Sequence, residues 1–373
     1  SVRSLPFGYT LHGASHSILA YADDVAIVAE SPADLQTLLD TVSAAATYSG
    51  LVFNQGKSAS LSFHAATVTR ERLLVQGAPI PSLGPNDSYD YLGVPIGHKF
   101  HPSAEKAICG ARRDLKKIDE SLLCPWQKAE ALNIFVLSRL PFHLTHGIVK
   151  KEPLVELDLE IRRVAKRWLN LPQQASAELV YIHPTTGGLG ILPLQDLADI
   201  SQLSQAVRLM GCKDEAIQSL SRSVITQVAS HRAGRSTLPT EDAIYLSGSC
   251  SAPFSTLAND VSSRWTRLRA ATRRLRAKGI SCDWSVAGDQ LNLTVGSTVV
   301  TPATAHRRLR GALHSHFLSR LLAKKDQGKV FHESSASPHS NHYMSNGSFV
   351  SFCTWRFVHR ARLNVLPLNG ARR

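Results

Sequence analysis

Acidic residues are scarce relative to basic ones: 29 Asp and Glu stand against 42 Lys and Arg, a net charge of +13 with neutral histidine. That surplus favours a polyanionic partner, nucleic acid ahead of an anionic membrane surface. No run of about 18 apolar residues occurs, which excludes a membrane-spanning helix. Cysteine is sparse as well. Cys109, Cys124, Cys212, Cys250, Cys282 and Cys353 lie too far apart for a disulfide framework or for paired zinc ligands, and fit a reducing compartment without a disulfide partner. No basic, apolar leader follows Ser1, and no closing element precedes Arg373, so the sequence reads as an internal piece of a longer polypeptide. What is present is substantial: 373 residues, 43% of them apolar, exceed one ordinary core and predict two or three compact units.

Two short apolar segments, His16 to Tyr21 and Val25 to Ala29, flank Ala22-Asp23-Asp24 as the strands of a hairpin flank its tip. Ser31 and Pro32 then supply a cap and a first-turn proline, with Asp34 beside them. Leu35, Leu38, Leu39, Val42, Ala45 and Ala46 fall on one helical face, and Gly50 ends it. Leu51-Val52-Phe53 predicts a short strand, Asn54 to Lys57 a turn, and 58–63 a strand with Ala59, Leu61 and Phe63 on one face. Residues 89–96 predict a further strand or hairpin, with Leu92 in the core. From about 103 the period becomes helical. The clearest stripe, starting at Pro153, is Leu154, Leu157, Ile161, Val164, Ala165, Trp168 and Leu169. Residues 231–256, rich in Ser, Thr, Gly and Pro, suggest a linker or domain edge. Residues 291–300 suggest a small hairpin, and Leu309, Leu313, Phe317 and Leu321 another helical stripe. Residues 326–348 are polar and expected to be mobile.

Adjacent carboxylates at the tip of an apolar hairpin repel each other, and burial would raise that cost. A divalent cation removes it: magnesium favours carboxylate oxygens together with substrate phosphates, and paired ions clamp both oxygens of a phosphoryl transfer. Taken alone, Asp23-Asp24 reads first as a polar hairpin turn.

The surroundings give the pair a context. Tyr21-Ala22-Asp23-Asp24 resembles the YxDD box of reverse transcriptases, and Gly50-Leu51-Val52-Phe53-Asn54-Gln55-Gly56-Lys57-Ser58 is similar to the next block of that family. Tyr91-Leu92-Gly93 stands where the family has its primer-grip hairpin. Trp168-Leu169-Asn170-Leu171-Pro172 and Gly187-Gly188-Leu189-Gly190-Ile191 are similar to the thumb region of non-LTR retrotransposon enzymes, and the glycine block argues against a group II intron protein. Glu30 to Gln36 and Arg360 to Pro367 resemble the clade that inserts into ribosomal RNA genes and carries a downstream restriction-like endonuclease and zinc motif. Cys353 with His359 is no such zinc site.

The resemblance implies an α+β fold: the C-terminal part of a polymerase palm with its primer-grip hairpin (1–100), a helical thumb (101–235) and a basic, mostly helical connector (236–373). It implies two Mg²⁺ ions held through Asp23 and Asp24, and Tyr21 and Ala22 beside the primer terminus and the incoming nucleotide. Lys57 would lie near the leaving pyrophosphate, and Tyr91, Leu92 and Gly93 would hold the primer. RNA template, DNA primer or target and dNTP are the implied partners, the nucleus the implied location. Palm polymerases also need a carboxylate from an earlier strand, which the 20 residues before Tyr21 do not contain, so the 373-residue chain is expected to be inactive alone.

Basic segments carry the remaining signal. Arg264, Arg267, Arg269, Arg273, Arg274, Arg276 and Lys278 occupy a stretch without an acid, with Trp265 among them to stack on a base or fill the core. Arg307, Arg308, Arg310, Lys324 and Lys325 form a second basic face, and Arg360, Arg362, Arg372 and Arg373 follow. A non-catalytic RNA- or DNA-binding remnant is the alternative these segments allow.

Overall fold

The computed structural model describes residues 6–100, 103–255, 260–288, 290–344 and 350–367; Arg372 and Arg373 fall outside them. The chain is mixed α+β, 53% helical and 14% strand. It divides into two units, Ser1–Ser103 with His146–Ile148, and Ala104–Thr145 with Val149–Arg373. Residues from 236 on thus share a unit with 104–145 and 149–235.

The first unit is a succession of antiparallel two-stranded ribbons around one helix. Strands β1 (Tyr9–Leu11) and β2 (Ala14–His16) pair, then β3 (Ile18–Tyr21) and β4 (Asp24–Ile27). Helix α1 (Pro32–Tyr48) follows as its punctuation dictates. The Ser31 hydroxyl accepts the Asp34 amide at 3.1 Å, Gly50 closes the end at φ +72°, and Leu38 is wholly buried. Four short strands come next, β5 (Ser62–His64), β6 (Thr67–Thr69), β7 (Leu74–Val75) and β8 (Ala78–Pro79), and then β9 (Tyr89–Tyr91) with β10 (Val94–Ile96). Gln36 on α1 receives the Leu74 amide at 2.8 Å and donates to its carbonyl at 3.0 Å, which ties β7 to the helix.

Two strand expectations fail here. Leu51 to Phe53 is not a strand: among the described residues none pairs with it as a strand, and Leu51 is 64% and Val52 85% exposed. Of the strand expected over 58–63, only Ser62 and Phe63 lie in β5 and Ser60 makes an isolated bridge to Ser82, with Ser60 buried and Phe63 exposed. The Ser60 amide donates to Pro81 O at 2.9 Å and its carbonyl accepts the Leu83 amide at 2.8 Å, so a backbone pairing rather than side-chain burial fixes the segment.

The second unit has one contiguous core. Its helices are α2 (Glu105–Glu120), α3 (Pro125–Ala131), α4 (Leu140–His146), α5 (Lys151–Trp168), α6 (Glu178–Tyr181), α7 (Leu194–Met210), α8 (Glu215–Ala233), α9 (Pro239–Leu246) and α10 (Arg264–Ala277). A sheet of β11 (Cys282–Ala287), β12 (Gln290–Val295) and β13 (Thr298–Val299) follows, then α11 (Ala305–Leu322), α12 (Gln327–Ser335) and α13 (Phe352–Arg362). The stripe expected on α5 is buried at Leu154, Leu157, Ile161, Ala165 and Trp168, while Glu156 and Glu160 face out and pair with Arg112. The glycine block packs tightly: a Cβ on Gly188 would meet Ile182 O at 2.4 Å and Leu179 O at 2.7 Å.

Where the sequence suggests a linker or domain edge, 231–255 is instead folded, with α9 and the wholly buried Tyr245, Leu246 and Phe254. Polar 326–348 also folds over its described residues, because Phe331 and Tyr343 are buried and Arg362 donates to Tyr343 Oη and Asn341 Oδ1, both at 2.7 Å. Helix α7 lies at the centre. The half-buried Asp158 carboxylate accepts the Leu194 amide at 2.6 Å and so caps it from another helix, and loss of solvent pushes that carboxyl up to about 7. Among the described residues no helix is long and apolar enough to cross a membrane.

Candidate active-site hairpin and basic helix

Strands β3 and β4 pair Ile18 with Ile27, Leu19 with Ala26, Ala20 with Val25 and Tyr21 with Asp24. That register leaves Ala22 and Asp23 as a two-residue turn, and Ala22 takes φ +53°. Tight hairpins demand a positive φ at this place, which an L-residue adopts only at a cost. The outcome is a narrow tip. Tyr21 is 67% exposed, and Asp23 and Asp24 are both exposed. The cost of burying adjacent carboxylates therefore does not arise in this chain; water solvates them, and their mutual repulsion alone remains.

Lys57 belongs to a short turn, Gln55–Lys57, whose amide is received by Asn54 Oδ1 at 3.1 Å. Its carbonyl accepts the Tyr89 hydroxyl at 2.5 Å. Tyr89, which the sequence reading left out of the site, thereby joins the Lys57 turn to the β9–β10 hairpin. The signal for it was its place in Tyr89-Asp90-Tyr91, where strand alternation puts two tyrosines on the same face. In that hairpin Tyr91 pairs with Val94, and Leu92 and Gly93 form the turn at φ +51° and +75°. Leu92 is consequently not core: it sits at the tip, 41% exposed.

Carboxylate oxygens are the donors that a hard cation such as magnesium takes, usually one or two per site with water and substrate phosphate completing the shell. The exposed Asp23–Asp24 pair fits that pattern in kind. Among the described residues no third His, Cys, Asp or Glu gathers with them, nor around Cys353 and His359, whose imidazole is buried against Trp355 and Tyr343.

Helix α10 opens at Ser263, whose hydroxyl accepts the Thr266 amide at 3.0 Å. Its basic residues divide by surroundings. Arg269 is buried, 4.9 Å above the Tyr245 ring, and donates to Ser249 O. Arg274 forks onto Asp199 at 2.7 and 2.8 Å, Lys278 meets Asp196, and Arg276 reaches Ser247 O at 2.9 Å and Asp283 at 3.4 Å. These four hold the protein's own groups. Arg264 and Arg267 are half-buried, which lowers both guanidinium pKa values, and Arg273 is exposed. Trp265 is buried and fills the core.

Comparison with known proteins adds the family context. The reverse transcriptase (RNA-dependent DNA polymerase) family matches residues 5–96. The Pol polyprotein from the type-2 retrotransposable element R2DM of Drosophila melanogaster is 28% identical over 214 residues, 54% of this chain and 20% of that protein. The type-1 element R2 of Bradysia coprophila encodes a Pol polyprotein 29% identical over 211 residues, 53% of the chain and 24% of the relative. An uncharacterised Caenorhabditis elegans protein is 24% identical over 337 residues, 85% of the chain and 95% of its own length. The chain thus spans a quarter or less of these two R2 polyproteins.

Proposed function

From the premise that this chain is a non-LTR reverse transcriptase relative, we propose that it is the palm end and thumb of an RNA-directed DNA polymerase that copies retrotransposon RNA at a nicked chromosomal target. The observation that carries the reading is the β3–β4 tip, where a two-residue turn presents Asp23 and Asp24 to solvent beside the exposed Tyr21 ring.

In this reading Asp23 and Asp24 hold Mg²⁺, which when bound offsets negative charge as a primer 3′-hydroxyl attacks a nucleotide α-phosphate. Tyr21 and Ala22 flank the primer end and the nucleotide, and Ala22 keeps the approach open where a larger side chain would intrude. The Lys57 ammonium faces the leaving pyrophosphate, either neutralising it or giving it a proton. Tyr89 fixes the Lys57 turn against the β9–β10 hairpin, whose Tyr91, Leu92 and Gly93 bear on the primer. RNA, DNA and dNTP are the partners, and the nucleus, where chromosomal target DNA is, the place of action.

A further carboxylate must complete the metal site, since none of the described residues joins Asp23 and Asp24. Primer extension tests both parts. The 373-residue chain should incorporate no nucleotide, and the full-length protein should lose incorporation to background on Asp23→Ala while still binding primer–template. Mg²⁺-dependent extension by the 373-residue chain would remove the need for that carboxylate. Unchanged extension by the full-length Asp23→Ala protein would overturn the polymerase assignment of the hairpin.

A further inference from the structure

Two adjoining faces of α11 are hollow and basic. His183, His306, Arg307, Arg310, Gly311 and His314 line a cleft of about 460 Å³. Lys278, Arg307, Arg308, Gly311 and His316 line its neighbour, about 910 Å³. Arg307 and Gly311, one helical turn apart, form the ridge common to both. No carboxylate lines either cleft. Among the described residues none pairs with Arg307, Arg308 or Arg310, whereas Arg320 and Lys324, further along the same helix and just past it, both meet Glu178.

Around the first cleft the surroundings report the same unanswered positive field. Burial holds His183, His306 and His314 below the ordinary imidazole range, His314 at about 4, and the neighbouring Arg310 charge adds to each. The His306 Nε2 atom is buried with no partner among the described residues. Gly311 is the second observation. It lies within α11, where glycine weakens a helix relative to alanine, yet a Cβ there would meet nothing within 4 Å. Packing does not ask for glycine at this place. A bare helix surface between arginines admits the close approach of a ligand backbone, and guanidinium forks match phosphate oxygens.

We propose that this ridge is a phosphodiester subsite: a nucleic-acid strand crosses α11 over Gly311, and Arg307, Arg308 and Arg310 take its phosphates. The choice of polyanion rests on the polymerase reading above. The sequence pattern marked these arginines only as a basic face; the clefts and the glycine between them specify how they are used.

Anisotropy of a fluorescein-labelled RNA–DNA heteroduplex, titrated with the 373-residue chain across a salt series, tests the site. The double variant Arg307→Gln/Arg310→Gln should lose roughly tenfold or more in affinity and reduce the salt slope by about 2. Gly311→Leu, which leaves charge unchanged and favours the helix, should weaken binding too without lowering the melting temperature. Wild-type binding that neither variant alters overturns the subsite and leaves the polymerase reading intact, because primer extension judges that separately. Arginine-dependent binding of inorganic phosphate, with heteroduplex affinity the same in wild type and both variants, would mark a free-phosphate pocket and overturn the strand crossing. Arginine-dependent capture of phosphatidylserine vesicles without heteroduplex binding would likewise overturn it, in favour of a lipid surface.

Discussion

In the first unit the buried apolar side chains, among the described residues, are Leu38, Ala46, Leu73 and Val75, while Leu19, Tyr21, Val52 and Phe63 lie open. In the second, α7 alone buries Leu194, Leu197, Ile200, Leu203, Val207 and Met210, together with Asp196 and Asp199. The two regions are held by different means. Turns, caps and single side-chain-to-backbone bonds define the first, whose ribbons of two strands gain little from burial. A common core defines the second, and it is large enough to take charged groups inside provided each finds a partner. Proposed chemistry sits on the lightly packed unit, and proposed duplex contacts on the densely packed one.

The sharpest way to break that contrast is to attack the buried charge. Asp199 is 3% exposed and bonded to Lys151 at 2.8 Å and Arg274 at 2.7 Å. Asp199→Ala would leave Lys151 and Arg274 without the carboxylate they bond, with Asp196 the acid that still acts on both. The expected loss is about 3 kcal/mol, the low end for a broken buried pair because Arg274 is 43% exposed and rehydrates. Urea unfolding followed by far-ultraviolet circular dichroism measures it. A change under about 0.5 kcal/mol would mean that the buried charges of the second unit contribute no more than surface ones.

That same pair explains where sequence reading stops. Arg274 and Lys278 stand in a run whose local pattern is indistinguishable from a phosphate-tracking face, but Asp199 and Asp196 are 75 and 82 positions away. Local features were legible: the hairpin tip from Asp23-Asp24 between apolar strands, α1 from Ser31-Pro32 and Gly50, α5 and α11 from their stripes. Segments whose structure depends on a distant partner were not. Ser60 turns inward because Pro81 and Leu83 bond its backbone, and 326–344 folds because Arg362 reaches back to it. Leu92 was read as core from its hydrophobicity, although the turn between Tyr91 and Val94 requires an outward tip.

A smaller effect, and one with a pH signature, is expected at the cap of α7. Burial raises the Asp158 carboxyl from 3.8 to about 7, against the lowering influence of the Leu194 and Gln195 amides. The folded chain therefore keeps a proton that the unfolded chain releases between those two values, and stability falls as pH rises through that window. Asp158→Asn is neutral at every pH. Its advantage over wild type should grow by about 1–2 kcal/mol between pH 5 and pH 8, less than the full linkage because an amide oxygen accepts the α7 amides more weakly. An equal shift at both pH values would show that the carboxyl keeps an ordinary value inside the core.

The smallest effect belongs to the first unit. Leu19 stands on β3 opposite Ala26 and is 53% exposed, so Leu19→Ala removes little surface that folding had taken from water. A change within about 0.5 kcal/mol is expected in the same urea titration, as for surface substitutions generally. The comparison is sensitive in one direction. A leucine truncated in a packed interior costs about 2–5 kcal/mol, so a loss of that size would place Leu19 against other apolar groups in solution. The β3–β4 hairpin would then be held by burial, as α7 is, and its tip would owe its position to packing more than to the turn at Ala22 and Asp23.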